Sequence, residues 1–267
     1  MEIIGYLASI IIGVSLGLIG GGGSILTVPV LVYLFSIDAV VATSYSLFIV
    51  GFTSLVGSIS YFKLNLVNVR TAIIFGIPSI IAVFLTRMFI VPAIPATLFT
   101  IGSLVITKSL FMLLLFSVLM ILASYSMIKK QVKVQDTNVV VGEQSFNYPL
   151  IFIEGVVVGT LTGLVGAGGG FLIIPALVML SKLPMKEAVG TSLAIIAAKS
   201  LIGFLGESSD TQVDWHLLLM VTGFATVGIF IGSALSKKID GNKLKPAFGW
   251  FVLVMGVYII IKETMLK

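Results

Sequence analysis

The chain is one segment written twice. Residues 13–31, GVSLGLIGGGGSILTVPVL, align without a gap on residues 159–177, GTLTGLVGAGGGFLIIPAL. Gly13, Gly17, Gly20, Gly22, Gly23, Leu26, Pro29 and Leu31 fall on Gly159, Gly163, Gly166, Gly168, Gly169, Leu172, Pro175 and Leu177. Further on, Ala42-Thr43-Ser44 matches Gly190-Thr191-Ser192 once two residues are inserted, and Val67-Asn68-Val69-Arg70 loosely matches Val213-Asp214-Trp215-His216. The chain therefore divides into a first repeat, residues 1–128, a polar linker, 129–147, and a second repeat, 148–267.

The solvent for these repeats is lipid. Of 267 residues, 58% are hydrophobic and 10% charged, against about a quarter charged in a soluble domain. Runs such as 39–62 and 109–128 carry no charge and reach the roughly 20 apolar residues that span a bilayer. Backbone polar groups in lipid must be satisfied within the segment, so these runs predict helices, and the alternation of a membrane barrel is absent. The class is an all-α integral membrane protein. No removable signal peptide is expected, because the first apolar run follows Glu2 rather than basic residues and recurs later in the chain. There is no cysteine, which excludes disulfides and thiolate metal sites. The net charge of +5 sits mainly in short loops, a pattern of membrane orientation rather than nucleic-acid binding.

Each glycine cluster breaks a helix. Residues 3–34 as one helix would measure about 48 Å, far more than a hydrocarbon core of roughly 30 Å, yet they are too few for two crossings. A half-helix that enters, unwinds at Gly20, Gly21, Gly22 and Gly23, and returns as a second half-helix from Ser24 fits that length. The same holds at Gly166, Ala167, Gly168, Gly169 and Gly170. Charge decides between this hairpin and a single broken crossing. With two hairpins that make no net crossing, one side collects 11 Lys and Arg (63, 70, 129, 130, 133, 182, 186, 237, 238, 243, 245) and the other 4 (87, 108, 262, 267). With single crossings the loops carry 7 and 8. The positive-inside rule selects the hairpins. Each repeat is then a re-entrant hairpin followed by three crossings, near 39–62, 71–91, 108–128, 185–206, 215–236 and 246–261. An odd number of crossings inserts the second repeat upside down, an inverted-topology arrangement with both termini outside.

The candidate site follows from this arrangement. Non-helical backbone at membrane depth is tolerated only inside protein or along a cavity. The helices that start at Ser24 and Gly170 aim free amides and positive dipole ends at the membrane interior, a setting for an anion. No lysine follows the glycines, so this is not a phosphate loop of the Walker type. Gly13/Gly17 and Gly159/Gly163 are small-xxx-small pairs suited to helix packing. Lys199 is the one basic residue well inside a crossing, with Gly51 as its counterpart, and it either meets a charged ligand or snorkels outward. Thr43, Ser44, Thr191 and Ser192 begin crossings beside the hairpins, where a hydroxyl bonds a ligand oxygen or its own helix carbonyl. Arg87 reads as an anchor near the outer surface, Glu154 as the one acid within a hairpin, and His216 as an interface anchor.

The duplicated G-x3-G-x2-G-x-G-G-x2-L-x2-P-x-L, with its later G/A-T-S, resembles the TauE/SafE family of sulfite-exporter-like permeases over essentially the whole chain, Val213-Asp214-Trp215 included. The first repeat departs with Asn68-Val69-Arg70 where the second has Asp214-Trp215-His216. The resemblance implies transport of small sulfur-containing anions such as sulfite or organosulfonates. The expectation is a multi-pass exporter in the cytoplasmic membrane, without cofactor or metal, whose partners are a small anion and the lipid bilayer. Monomer and homodimer both remain open. Few ionisable residues lie inside the spans, so an enzyme is not expected. An anion channel, or a permease that takes up another small organic anion with coupled ions, are the alternatives.

Overall fold

The computed structural model describes residues 2–21, 23–101, 104–128, 148–179, 183–206, 213–236 and 241–265. The linker expected at 129–147, Gly22, and the acidic residues Glu207 and Asp210 lie outside them. The first repeat consists of α1 (Glu2–Ile19), α2 (Ser24–Tyr33), α3 (Ala39–Lys63), α4 (Val69–Leu85) and α6 (Lys108–Ile128). Between the last two, α4 runs through a π turn at Thr86–Ile90 into α5 (Val91–Ala93). The second repeat consists of α7 (Tyr148–Val165), α8 (Gly170–Met179), α9 (Met185–Leu205), α10 (Trp215–Ser236) and α11 (Gly241–Met265). Among the described residues five helices are long and apolar enough to cross a membrane: Ala39–Lys63, Val69–Ala93, Lys108–Tyr125, Lys186–Leu205 and Trp215–Ser236. The sixth expected crossing falls within α11.

The protein is turned inside out relative to a soluble one. Ile73, Ile77 and Ile81 of α4 and Leu219, Phe230 and Ile231 of α10 are exposed, whereas Arg87, Lys199 and a set of Ser and Thr are buried. Such an apolar exterior suits acyl chains, and the chain is an all-α integral membrane protein. A short β-hairpin, β1 (Thr97–Ile101) with β2 (Leu104–Thr107), was not expected. Its β-branched and aromatic residues (Thr, Phe, Ile and Val) favour extended backbone, and it precedes α6.

Helices α1 and α2 fold back on each other. Gly5, near the start of α1, lies against the ring of Phe35 just past the end of α2, and Tyr6 meets Phe35 edge-on with ring centroids 5.4 Å apart. Gly23 turns back onto Ile12, Ser15 and Leu16. The chain thus leaves the first hairpin on the side where it entered.

The two repeats keep one register. The starts of α1 and α7, α2 and α8, α3 and α9, and α4 and α10 each differ by 146 residues. Helix caps coincide as well. The side chain of Asn68 accepts from Thr71 N (3.0 Å), and that of Asp214, 146 residues on, accepts from Leu217 N (3.1 Å). That cap accounts for the Asn68/Asp214 match, as each satisfies an orphan amide of its helix. No two-residue insertion exists. Thr43 therefore corresponds to Val189 rather than Thr191, and Lys199 to Thr53 rather than Gly51.

Pairing is crosswise. Helix α1 packs on α10, where Gly13 meets Ala225 and Gly17 meets Ile229. By the same geometry α7 packs on α4, where Gly159 meets Ser79 and Gly163 meets Val83 and Thr86. In both pairs contact advances along both chains together, so the helices run parallel. The equivalent helices α3 and α9 run antiparallel, with Gly51 beside Leu201 and Gly57 beside Leu193.

Candidate functional site

The two glycine turns meet at the centre of the molecule. Gly20 and Gly166 end α1 and α7, each donating its N–H to the carbonyl four residues back, Leu16 O at 2.7 Å and Thr162 O at 2.8 Å. Their φ angles of 75° and 72° belong to the left-handed region that side chains with a Cβ avoid. The chain then enters the second half-helix, and Gly21 lies against the backbone of Gly170. A Cβ on Gly21 would stand 2.5 Å from the Gly170 carbonyl carbon. The starts of α2 and α8 are therefore brought together, as the sequence led one to expect.

Each turn is gripped by the opposite repeat. Gly166 sits on the backbone of Thr43 in α3, and Gly20 on Val189 in α9. Ser192 Oγ donates to Gly20 O (3.0 Å) and to Val189 O (2.8 Å), and Ser24 Oγ donates to Gly21 O (2.7 Å). Thr43 Oγ1 donates to Val40 O (2.7 Å), and Thr191 Oγ1 accepts from Asn68 N (2.9 Å). In this conformation these hydroxyls hold protein backbone. Gly20, Gly21, Gly23, Ser24, Thr43, Ser44, Gly166 to Gly170, Thr191, Ser192 and Lys199 are all buried.

Lys199 is fully buried and points inward, with Nζ donating to Thr162 Oγ1 (3.1 Å). A Cβ placed on Gly169 would be 2.7 Å from that Nζ, so the ammonium stands against the glycine turn just before α8 begins. No carboxylate pairs with Lys199 among the described residues. Thr162 Oγ1 itself donates to Val158 O (2.8 Å) and Gly159 O (3.1 Å), leaving a lone pair for the lysine.

Arg87 is not a surface anchor. It is fully buried in the π turn and donates from Nη1 to Ser44 Oγ (3.2 Å). The wide turn shifts the helix phase, so that Arg87 faces inward while Met88, Phe89 and Ile90 face out. Its only sequence signal was a basic residue inside an otherwise apolar run that ends at a proline. Ser44 Oγ thus accepts from Arg87 while donating to Val40 O (3.3 Å).

The family model for Sulfite exporter TauE/SafE matches residues 5–259. The chain belongs to the TauE/SafE family. The match takes in both glycine turns, Lys199 and Arg87. Relatives matched over most of their length agree with a membrane transporter. A "Probable membrane transporter protein" of Xylella fastidiosa (strain 9a5c) is 28% identical over 257 residues, 94% of this chain and 91% of that protein. The "Probable membrane transporter protein YunE" of Bacillus subtilis (strain 168) is 28% identical over 259 residues, 91% of each. The "Probable membrane transporter protein MJ0441" of Methanocaldococcus jannaschii is 25% identical over 265 residues, 94% and 92%. No solved structure gives a significant match to this TauE/SafE chain.

Proposed function

We propose that this TauE/SafE protein is a carrier that exports a small sulfur-containing anion, sulfite or an organosulfonate, bound at the second glycine turn. The observation that carries the reading is the approach of the Lys199 ammonium to the start of α8. Two positive ends placed together in a buried site repel each other, and an anion between them turns that repulsion into attraction. Such a site attracts one sign of charge. The backbone contact of Gly21 with Gly170 supports a carrier over an open channel, because it closes the centre in this conformation.

Inverted insertion is part of this proposal. It is supported by the antiparallel course of α3 and α9 and by three crossings between the two hairpins. Cysteines introduced at Gln131 and Lys243 should both label from the cytoplasm, and one at Ser209 from outside. Labelling of 131 and 243 from opposite faces would refute the topology.

Direction follows from charge. An inside-negative membrane drives an anion outward by about 2.3 kcal/mol per charge per 100 mV, roughly a fiftyfold gradient for a single charge. Proteoliposomes loaded with sulfite or a sulfonate should release it when the potential is clamped inside-negative and no proton or sodium gradient is present. Flux that ignores the potential yet needs a cation gradient would sink uncoupled export.

A further inference from the structure

We propose that Ser46 belongs to the anion site, its hydroxyl donating to an oxygen of the anion bound at the second glycine turn. This rests on the reading of that turn as the anion site. Ser46 is fully buried, and its Oγ has no hydrogen-bond partner among the described residues. Helix α3 sets it against the turn. Thr43, about one helical turn before Ser46, touches Gly166, and the side chain of Val50, about one turn after it, touches Gly168. Residues 43, 46 and 50 share a face of the helix, so the unused hydroxyl looks toward the chain between Gly166 and Gly168. Its neighbour Leu47 looks elsewhere, toward Gly203 of α9. Ser54, Thr71, Ser79 and Ser200 are also buried without a partner, but only Ser46 is set between two residues of its own helix face that touch this turn.

The other repeat shows the same hydroxyl in use. Shifting by the 146 residues that relate the repeats turns Ser46 into Ser192. Ser192 Oγ donates to Gly20 O (3.0 Å) and Val189 O (2.8 Å) and so fastens the first turn. The corresponding acceptors for Ser46 are Gly166 O and Thr43 O, and neither bond is made. At the second turn the donor is left over. The turns differ again at Gly169, whose φ is 70° where its counterpart Gly23 has −68°. That is where the Lys199 ammonium stands, and the first repeat has Thr53 in its place. An unused donor from α3 and a cation from α9 therefore approach the same stretch, Gly166 to Gly170.

The ligand chemistry follows. A buried hydroxyl without an acceptor is costly, and an acceptor supplied from outside removes that cost. Lys199 asks for negative charge and Ser46 for a lone pair. A small anion with several oxygens on one centre answers both, giving one oxygen to the ammonium and another to the hydroxyl. Hydrogen bonds to a charged oxygen are the stronger kind. Sulfite and sulfonates have that form.

Equilibrium binding of sulfite and methanesulfonate to the purified full chain in detergent, with thermal unfolding of the ligand-free protein, tests this. Ser46→Ala should bind the tighter of the two probes roughly tenfold more weakly than the wild type. Its thermal midpoint should nevertheless hold or rise, because a buried polar group without a partner is gone. Ser192→Ala removes a hydroxyl already in use and should lower the midpoint. Ser46→Cys keeps a similar volume with a weak donor and should lose about as much affinity as the alanine variant. Unchanged affinity in Ser46→Ala, or full affinity in Ser46→Cys, overturns the assignment whatever happens to flux. A lowered midpoint in Ser46→Ala also overturns it, since the fold would then be using the hydroxyl. Binding lost in Lys199→Met and untouched in Ser46→Ala removes Ser46 and leaves the anion reading intact. Binding of neither probe to the wild type overturns both.

Discussion

Lys199→Met should give a folded, membrane-inserted protein that no longer moves its anion. Lys199 is fully buried, and its hydrogen-bond partner among the described residues, Thr162 Oγ1, keeps Val158 O and Gly159 O after the lysine is gone. Methionine fills a similar volume without a charge to desolvate, so the thermal midpoint should hold or rise. The anion loses a charge-assisted partner, about ten- to a hundredfold in affinity, and flux in vesicles should fall to background. Normal flux through a well-folded Lys199→Met protein would make Lys199 a packing residue and end the case for the second turn as the binding site.

Gly13→Leu should be the most damaging single change outside the turns. A side chain there would fall on the Ala225 carbonyl oxygen, with Ile229 N only 2.8 Å from its Cβ. Backbone on both helices cannot step aside as a flexible side chain would, so α1 and α10 must separate, at a cost of about 3 kcal/mol or more. Gly223→Leu on the same α10 is the control, since a Cβ there meets nothing within 4 Å. Thermal unfolding and gel filtration in detergent should show Gly13→Leu aggregated or strongly destabilised and Gly223→Leu close to wild type. Equal behaviour of the two would mean that α1 does not sit in the α10 groove.

Much of this was legible in the residues, for physical reasons. The hairpins showed because a run too long for one crossing and too short for two leaves few solutions once glycines interrupt it. Lys199 stood out because a charge deep in an apolar run must either meet a polar partner or snorkel, and in the fold it points inward. Arg87 was misplaced because a π turn has no sequence mark, and without it a basic residue near a span end reads as an anchor. The shift between repeats was misjudged because Thr43-Ser44 and Thr191-Ser192 look alike. The structure sets the register instead by where helices begin, with Asp38 and Pro184 preceding α3 and α9, 146 residues apart. Their hydroxyls serve different ends: Ser44 receives Arg87, whereas Ser192 braces Gly20.

The crosswise pairing of α1 with α10 and α7 with α4 bears on how the molecule is made. Helix α1 leaves the ribosome first, and α10 begins only at Trp215. At typical speeds of synthesis that is an interval of roughly 10 to 40 s during which the groove at Gly13 and Gly17 stands open. Closure of the fold is therefore a late event, completed when the second repeat arrives. A single repeat would be left with two unfilled grooves, whereas two repeats made as separate chains hold every surface they need to find each other.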